Sequence, residues 1–245
     1  MSDHPGEDRV PQQNETGQDV AVVLPAAGGG RRMGGVRKAT MELLGAPLLA
    51  HSLRPFLEDP EVGQIVVSLH PEEAERPPPW LAALGPRVRC VAGGSTRGAS
   101  VREALLALDP VPPVVVVHDA ARPLTDRATF QRCVAEARSG RGGVAGWPSV
   151  DTLKEVDGER TILSTPDRSR IWQAHTPQAF PGNTVVGAYR DAGPEELGST
   201  DDAALVSART GLRIRMVEGS PWNIKVTHPE DVPMAEALLR LREGG

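Results

Sequence analysis

Between Pro25 and Lys38 the chain reads Pro-Ala-Ala-Gly-Gly-Gly-Arg-Arg-Met-Gly-Gly-Val-Arg-Lys, directly after a run of valines. Glycines and alanines leaving a strand let backbone N–H groups approach a phosphate, and Arg31, Arg32 and Lys38 add the charge that would neutralise it. On these residues alone the segment is either a triphosphate cradle or a loop of solvated arginines. It is not a Walker loop, because no Gly-Lys-Ser/Thr follows, and it is not a GxGxxG turn opening a helix. Of the 27 basic residues only Lys38, Lys154 and Lys225 are lysines. A compact ammonium sits where a planar guanidinium does not fit, so a lysine retained in an arginine-rich chain points to a specific electrostatic task. For Lys154 chance is the simpler account.

Other side chains could join such a site. Asp119 follows a run of four valines, Val114 to Val117, and a carboxylate at the carboxyl end of a parallel strand faces the usual ligand edge. His118 beside it is either a general base or a structural histidine, and the structural role is favoured. Arg122 either binds an anion or pairs with an acidic neighbour. Ser100 and Thr200 read as N-caps of the helices that follow, with Asp201 and Asp202 as first-turn charges. Lys225 lies on a late strand, where an exposed edge cation is the plainer account. Trp147, Trp172 and Trp222 read as packing residues rather than base-stacking platforms.

The elements that must position these residues are legible as alternating apolar runs and helical patterns. Strands are expected at Val20 to Leu24, Gln64 to Leu69, Val88 to Val91, Pro113 to His118, Gly143 to Trp147 and Leu212 to Val217. Helices are expected at Leu48 to Leu57, Pro71 to Leu84, Ser100 to Leu108, Asp126 to Arg138, Asn183 to Asp191, Asp202 to Thr210 and Pro229 to Leu241. This rhythm predicts βαβ units: an α/β fold with a mostly parallel twisted sheet and helices on both faces. Pro55 should kink or stop the first helix, because its ring clashes with the carbonyl of His51. Between Val150 and Trp172 the rhythm breaks. Asp157 and Gly158 predict a two-residue hairpin that sets Glu155 opposite Arg160 and Leu153 opposite Ile162. A two-stranded ribbon so poor in apolar residues is marginal alone, so it should lie against its own domain or a second protomer.

A length of 245 residues fits one domain with an insertion, 19–245, preceded by a solvated polar tail, 1–18. The tail carries five charges and two prolines and lacks the character of a signal or transit peptide. The net charge of −5 argues against a general nucleic-acid binder. The apolar runs Val20 to Ala27 and Val111 to Val117 are too short to span a membrane. Cys90 and Cys133 form no metal or redox spacing, which suits a reducing cytoplasm.

Five blocks together resemble the 2-C-methyl-D-erythritol 4-phosphate cytidylyltransferase family of the non-mevalonate isoprenoid pathway. They are Leu24-Pro-Ala-Ala-Gly with Arg32-Met33 and a lysine, Gly93-Gly-Ser-Thr-Arg-Gly-Ala-Ser-Val101, Val117-His-Asp-Ala-Ala-Arg-Pro123, Asp167-Arg168 with Trp172-Gln-Ala-His-Thr-Pro-Gln178, and Thr200-Asp-Asp-Ala-Ala-Leu205 with Asn223-Ile-Lys225. The likeness runs from about Val20 to Leu241. It departs from the family at Arg37, where proline usually precedes the lysine, and the loop from Met33 to Lys38 is one residue shorter.

The resemblance implies a Rossmann-like nucleotidyltransferase fold in which a sugar-alcohol phosphate attacks the α-phosphorus of CTP and releases pyrophosphate. It implies Arg32 and Lys38 at the triphosphate, and Arg168 and Lys225 on the sugar-alcohol phosphate. Ser100 and the backbone around Ala26, Ala27, Gly28 and Gly94 would read the cytosine. Asp119, Ala120, Arg122, Thr152 and Thr200 would line the sugar-phosphate pocket, with Asp119 also near the ribose and Mg²⁺. It further implies that the hairpin is an arm joining a homodimer and lending Thr152 and Arg168 to the partner's site. A close alternative is a cytidylyltransferase for another polyol phosphate such as ribitol 5-phosphate. A more distant one is a silent nucleotide-binding homologue.

Overall fold

Val20, Ala21, Val22, Val23 and Leu24 are all fully buried. A strand with no polar face must be covered on both sides, as in the centre of a parallel sheet. In the computed structural model, which describes residues 17–28, 41–199 and 201–243, this strand lies inside a seven-stranded sheet. In chain order the elements are β1 (Val20–Pro25), β2 (Glu42–Leu43), β3 (Ala46–Pro47), α1 (Leu48–Leu57), β4 (Val62–Leu69), α2 (Pro71–Glu75), α3 (Pro79–Ala82), β5 (Val88–Ala92) and α4 (Arg97–Leu106). They continue with β6 (Val114–Val117), α5 (Arg127–Arg138), β7 (Gly142–Pro148), β8 (Glu155–Val156), β9 (Ile162–Ser164), β10 (Trp172–Pro181), α6 (Gly182–Arg190), α7 (Asp202–Thr210), β11 (Ile214–Glu218) and α8 (Asp231–Glu243).

The strand order is β11-β7-β10-β6-β1-β4-β5. β1 runs parallel to β4 and β6, β4 to β5, and β11 to β7, whereas β10 is antiparallel to both β6 and β7. Side-chain alternation along β1 divides the core in two. Val20, Val22 and Leu24 pack with Leu53 and Phe56 of α1 and Phe130 and Val134 of α5, while Ala21 and Val23 meet Val101 and Leu105 of α4, Val185 of α6 and Val206 of α7. A third cluster sets Ala235 and Leu239 of α8 against Leu43, Leu48, Leu124 and Val226. The expected α/β class, mostly parallel with helices on both faces, is the one found.

Several boundaries differ from expectation for identifiable reasons. β10 was not expected, because Pro177 and Pro181 disguise a strand whose segment from Thr176 to Phe180 is nonetheless buried. Its register with β7 breaks between Ala174 and Gln178, and this bulge accommodates Pro177, which cannot donate to the ladder. The helix expected from Pro71 to Leu84 is two, because Pro77 and Pro78 remove donors and Pro79 starts a new turn. The α4 helix begins at Arg97 rather than Ser100, since Thr96 is its cap and accepts from the Ala99 N–H at 3.0 Å. Pro55 does not stop α1 early: it sits in the final turn, and Phe56 beyond it anchors the core.

The hairpin register also differs. Glu155 pairs with Ser164 and Val156 with Ile162, because Asp157 Oδ1 accepts from the N–H groups of both Glu159 and Thr161 and opens a wider turn. Arg160 takes the left-handed backbone position at φ 66°. The ribbon does not lie on its own domain. Val150, Val156, Ile162 and Leu163 are 46–65% exposed. Residues 1–16 of the expected tail lie outside the described residues.

Candidate active site

The carboxyl ends of β1, β4 and β5 and the start of α4 meet in one place. The Ala26 N–H donates to Ser68 O at 2.8 Å and the Gly93 N–H to Leu69 O at 2.7 Å. Ser100 Oγ donates to Thr96 O at 2.9 Å, which seats its side chain in the first turn of α4 rather than at the cap. Gly93 is required here: a Cβ on it would lie 2.4 Å from Ala27 Cβ and 2.9 Å from Ser100 Oγ. Ala26, Ala27, Gly94 and Ser100 therefore share one wall, and Gly28 follows them, exposed.

Beyond β6 lies a charged cluster centred on buried Asp119. Its Oδ1 accepts from Arg97 Nε at 2.8 Å, and its Oδ2 faces Lys225 Nζ at 2.6 Å and Arg122 Nε at 4.0 Å. Arg97 turns its other two nitrogens to Asp202, at 2.9 and 2.7 Å, and Asp202 also accepts from the Tyr189 hydroxyl. Burial opposes the charge on Asp119, but Arg97 and Lys225 outweigh it and hold the carboxyl well below the usual carboxylate range. Burial likewise opposes the charge on Arg97, and Asp202 and Asp119 hold its pKa above the ordinary value.

A hydrogen-bonded scaffold fixes this cluster. The Asp119 N–H donates to Thr176 Oγ1 at 3.0 Å, which in turn meets His118 Nδ1 at 3.0 Å, and His118 Nε2 meets Arg122 O at 3.1 Å. One tautomer satisfies the chain: Thr176 donates to Nδ1 and Nε2–H donates to the carbonyl. Burial pushes His118 down to about 4, so it is neutral and fully engaged, the structural histidine expected rather than a base. Asn223 pins the Lys225 segment. It donates from Nδ2 to Thr176 O at 2.9 Å, accepts from Thr125 at 3.0 Å on Oδ1 and from Arg122 Nη1 at 2.6 Å on its carbonyl. Lys225 thus lies in an irregular segment, not on the strand expected. Arg122 Nε and His175 Nδ1 are buried without a hydrogen-bond partner, and burial lowers the pKa of Arg122.

Of the residues singled out in the sequence, Asp119, Ala120, Arg122 and Lys225 converge here, with buried Ala120 holding Ser52 Oγ on its carbonyl at 3.0 Å. Thr152 and Arg168 do not: both are exposed on the arm, where Arg168 Nη1 donates to Val150 O at 2.7 Å. Arg32, Lys38 and Thr200 lie outside the described residues. Sequence reasoning gave no site role to Arg97, Asp202, Thr176 or Asn223. Asp201, not Thr200, is the cap of α7, accepting from the Ala204 N–H at 3.1 Å, and Asp202 does stand in the first turn but is buried rather than solvated. Two adjacent acids where only one can cap was the available signal. Trp222 is exposed rather than packed.

The arrangement can hold anions and orient them. At its centre a buried carboxylate, Asp119, has three cations around it.

A family model described as 2-C-methyl-D-erythritol 4-phosphate cytidylyltransferase matches residues 20–241. The chain is 40% identical over 241 residues to the 2-C-methyl-D-erythritol 4-phosphate cytidylyltransferase of Symbiobacterium thermophilum, covering 98% of this chain and 97% of that one. To the protein of the same name from Solibacter usitatus it is 37% identical, covering 90% and 96%. The solved structure of 2-C-methyl-D-erythritol 4-phosphate cytidylyltransferase from Thermus thermophilus superposes with a TM-score of 0.75 at 34% identity, covering 91% and 99%. That of 4-diphosphocytidyl-2C-methyl-D-erythritol synthase from Anaerococcus prevotii gives 0.78 at 28%, covering 91% and 97%. With the fold and nearly the full length in common, the chain belongs to the 2-C-methyl-D-erythritol 4-phosphate cytidylyltransferase family of nucleotidyltransferases.

Proposed function

We propose that the wall around Gly93 and the cluster around Asp119 form one site, at which this enzyme transfers the cytidylyl group of CTP to 2-C-methyl-D-erythritol 4-phosphate. The products are 4-diphosphocytidyl-2-C-methylerythritol and pyrophosphate, on the way to isoprenoid precursors. The observation that carries this reading is the cationic pair Lys225 and Arg122 seated on Asp119 at the binding edge of the sheet. A phosphate monoester has a second pKa near 6 and is mostly a dianion at neutral pH, so the nucleophile needs no base. The neutral, fully bonded His118 is consistent with that.

The task that remains is to hold two polyanions in line and to stabilise charge at the α-phosphoryl group. Lys225 and Arg122, whose Nε makes no hydrogen bond, are suited to the phosphate of the acceptor alcohol. Arg32 and Lys38 act on the triphosphate. Ser100 and the backbone of Ala26, Ala27, Gly28 and Gly94 read the base, and Thr200 joins Ala120 in the acceptor pocket. Mg²⁺ accompanies the nucleotide. The triphosphate oxygens would be its main ligands, with Asp119 at most a minor one because both its oxygens already face cations.

The exposure of Val150, Val156, Ile162 and Leu163, the few apolar side chains at the arm's surface, supports a homodimer in which Thr152 and Arg168 complete the partner's site. The place of action is the cytoplasm. Both described cysteines are free, burial raises the pKa of each thiol, and no described helix is long and apolar enough to cross a membrane.

A pyrophosphate-release assay with CTP, Mg²⁺ and methylerythritol phosphate, run beside ribitol 5-phosphate, tests the function. Release that depends on the first alcohol is expected. A folded protein that releases nothing with it, or prefers the second, overturns the reading.

A further inference from the structure

We propose that Arg97 and Asp202 are a positioning couple: they compensate Asp119 from the side away from Lys225, and Arg97 itself takes no phosphate. This rests on the functional reading above. Arg97 meets Asp202 with both terminal nitrogens and Asp119 with Nε, so its planar fork is committed to two carboxylates. Asp202 is fully buried and takes a further hydrogen bond from Tyr189. It is not needed to start its helix, because Asp201 already caps α7. A buried ion pair costs desolvation, and an apolar pair of similar volume is often as stable, so stability alone gives no account of these charges.

Orientation and charge do. With Lys225 as its sole partner, Asp119 would neutralise that ammonium and could swing with it. With Oδ1 held by Arg97, the carboxylate keeps a fixed direction. Counting Arg97, Arg122 and Lys225 against Asp119 and Asp202 leaves one net positive charge. That surplus resides on Lys225 and Arg122, the two cations not clamped by a fork. The couple also ties the site to α7, which directly follows Thr200.

Removing Arg97 alone would strand a buried carboxylate, so the decisive variant is the double Arg97→Met/Asp202→Leu, which removes both charges and leaves the net charge unchanged. It is expected to fold, to lose kcat on the order of 10²-fold through misplacement of Asp119 and Lys225, and to raise KM for the acceptor phosphate several-fold while KM for CTP stays within about twofold. Arg97→Lys should fall to a similar level, because a single ammonium nitrogen cannot reproduce the planar fork that meets Asp119 through Nε and Asp202 through both terminal nitrogens. A double variant, or Arg97→Lys, with wild-type kcat and KM overturns the couple. Should the double variant fail to fold, Asp202→Asn decides: a loss of kcat of about tenfold or more at constant KM for CTP supports the proposal, and unchanged kcat overturns it. An inactive wild-type chain would overturn the functional reading itself, whereas wild-type-like variants of an active enzyme overturn only the couple.

Discussion

Lys225 and Asp119 meet at 2.6 Å although one follows the last strand of the chain and the other lies just beyond a central one. Lys225 is about one-third exposed and Asp119 is buried, so their substitutions should separate. Lys225→Ala is expected to keep the melting temperature and lose kcat on the order of 10²-fold or more. Asp119→Asn should lose activity and also stability, by about 3–5 kcal/mol, because Lys225 and buried Arg122 then lose their carboxylate and Arg97 keeps only Asp202. Denaturant midpoints measured beside initial rates check both, and a fully active Lys225→Ala enzyme would remove Lys225 from the site.

Arg32 and Lys38 carry the triphosphate side of the reading. Alanine at either should lower kcat on the order of 10² to 10³-fold with the fold intact. Lys38→Arg should also fail, since a guanidinium differs in shape and reach. Near wild-type turnover in Lys38→Ala would move the role to Arg37.

The wall around Gly93 predicts nucleotide selectivity. CTP should be strongly preferred over UTP, because polar groups arranged for cytosine are left unpaired by uracil. Gly93→Ala should weaken CTP, since its Cβ would fall within 2.4 Å of Ala27 Cβ. Comparing kcat/KM for the two nucleotides, and KM for CTP in the variant, decides it; equal use of CTP and UTP would mean the base pocket lies elsewhere.

If the arm works across a dimer, mixing Lys38→Ala with Arg168→Ala protein under subunit exchange should recover activity to roughly a quarter of wild type, since half the dimers then carry one intact site of two. No recovery despite verified exchange would place Arg168 in its own chain's site.

Acid should destabilise the protein before its carboxylates titrate. Burial pushes His118 down to about 4, against about 6.5 for a histidine in the unfolded chain. Between these values the unfolded chain binds a proton that the folded one refuses, so stability is fully present above about 6.5 and declines as pH falls toward 4. The loss is on the order of 3 kcal/mol for His118, with a contribution of the same sign from His175, also held at about 4 by burial and then by Arg122. Urea midpoints from pH 7.5 to about 4 should show this slope, and His118→Gln should flatten it.

Much of this architecture was legible because burial on two faces leaves a plain mark: Val20 to Leu24 and Val114 to Val117 can hardly be anything but central strands. Asp119 was legible for the same reason, as a carboxylate ending an apolar strand. β10 was not, because its Pro177 and Pro181 and the polar Gln173, His175 and Gln178 break the apolar pattern by which a strand is read. Arg97 was hidden among the many arginines of the chain, and Asp202 behind a neighbour with the same side chain. Their partnership is a tertiary fact with no local pattern. The hairpin register escaped because Asp157 dictated the turn through side-chain hydrogen bonds, overriding the usual preference for a tight Asp-Gly turn.

The strand order has a consequence for synthesis. β6, β1, β4 and β5 pair only with one another and with β10, so four parallel strands can associate once Val117 has emerged. Both neighbours of β7 come later in the chain, and β6 keeps one open edge until Trp172–Pro181 arrives to pair with each. Unpaired edges are the surfaces through which nascent chains aggregate. Chains released after residue 171 should therefore remain protease-sensitive over 142–148, and those released after residue 190 should be protected there, as pulse proteolysis of truncated chains would show. Translating the arm thus sets the waiting time between the two halves of the sheet, and slow codons within it would lengthen the interval in which the half-built protein depends on a chaperone.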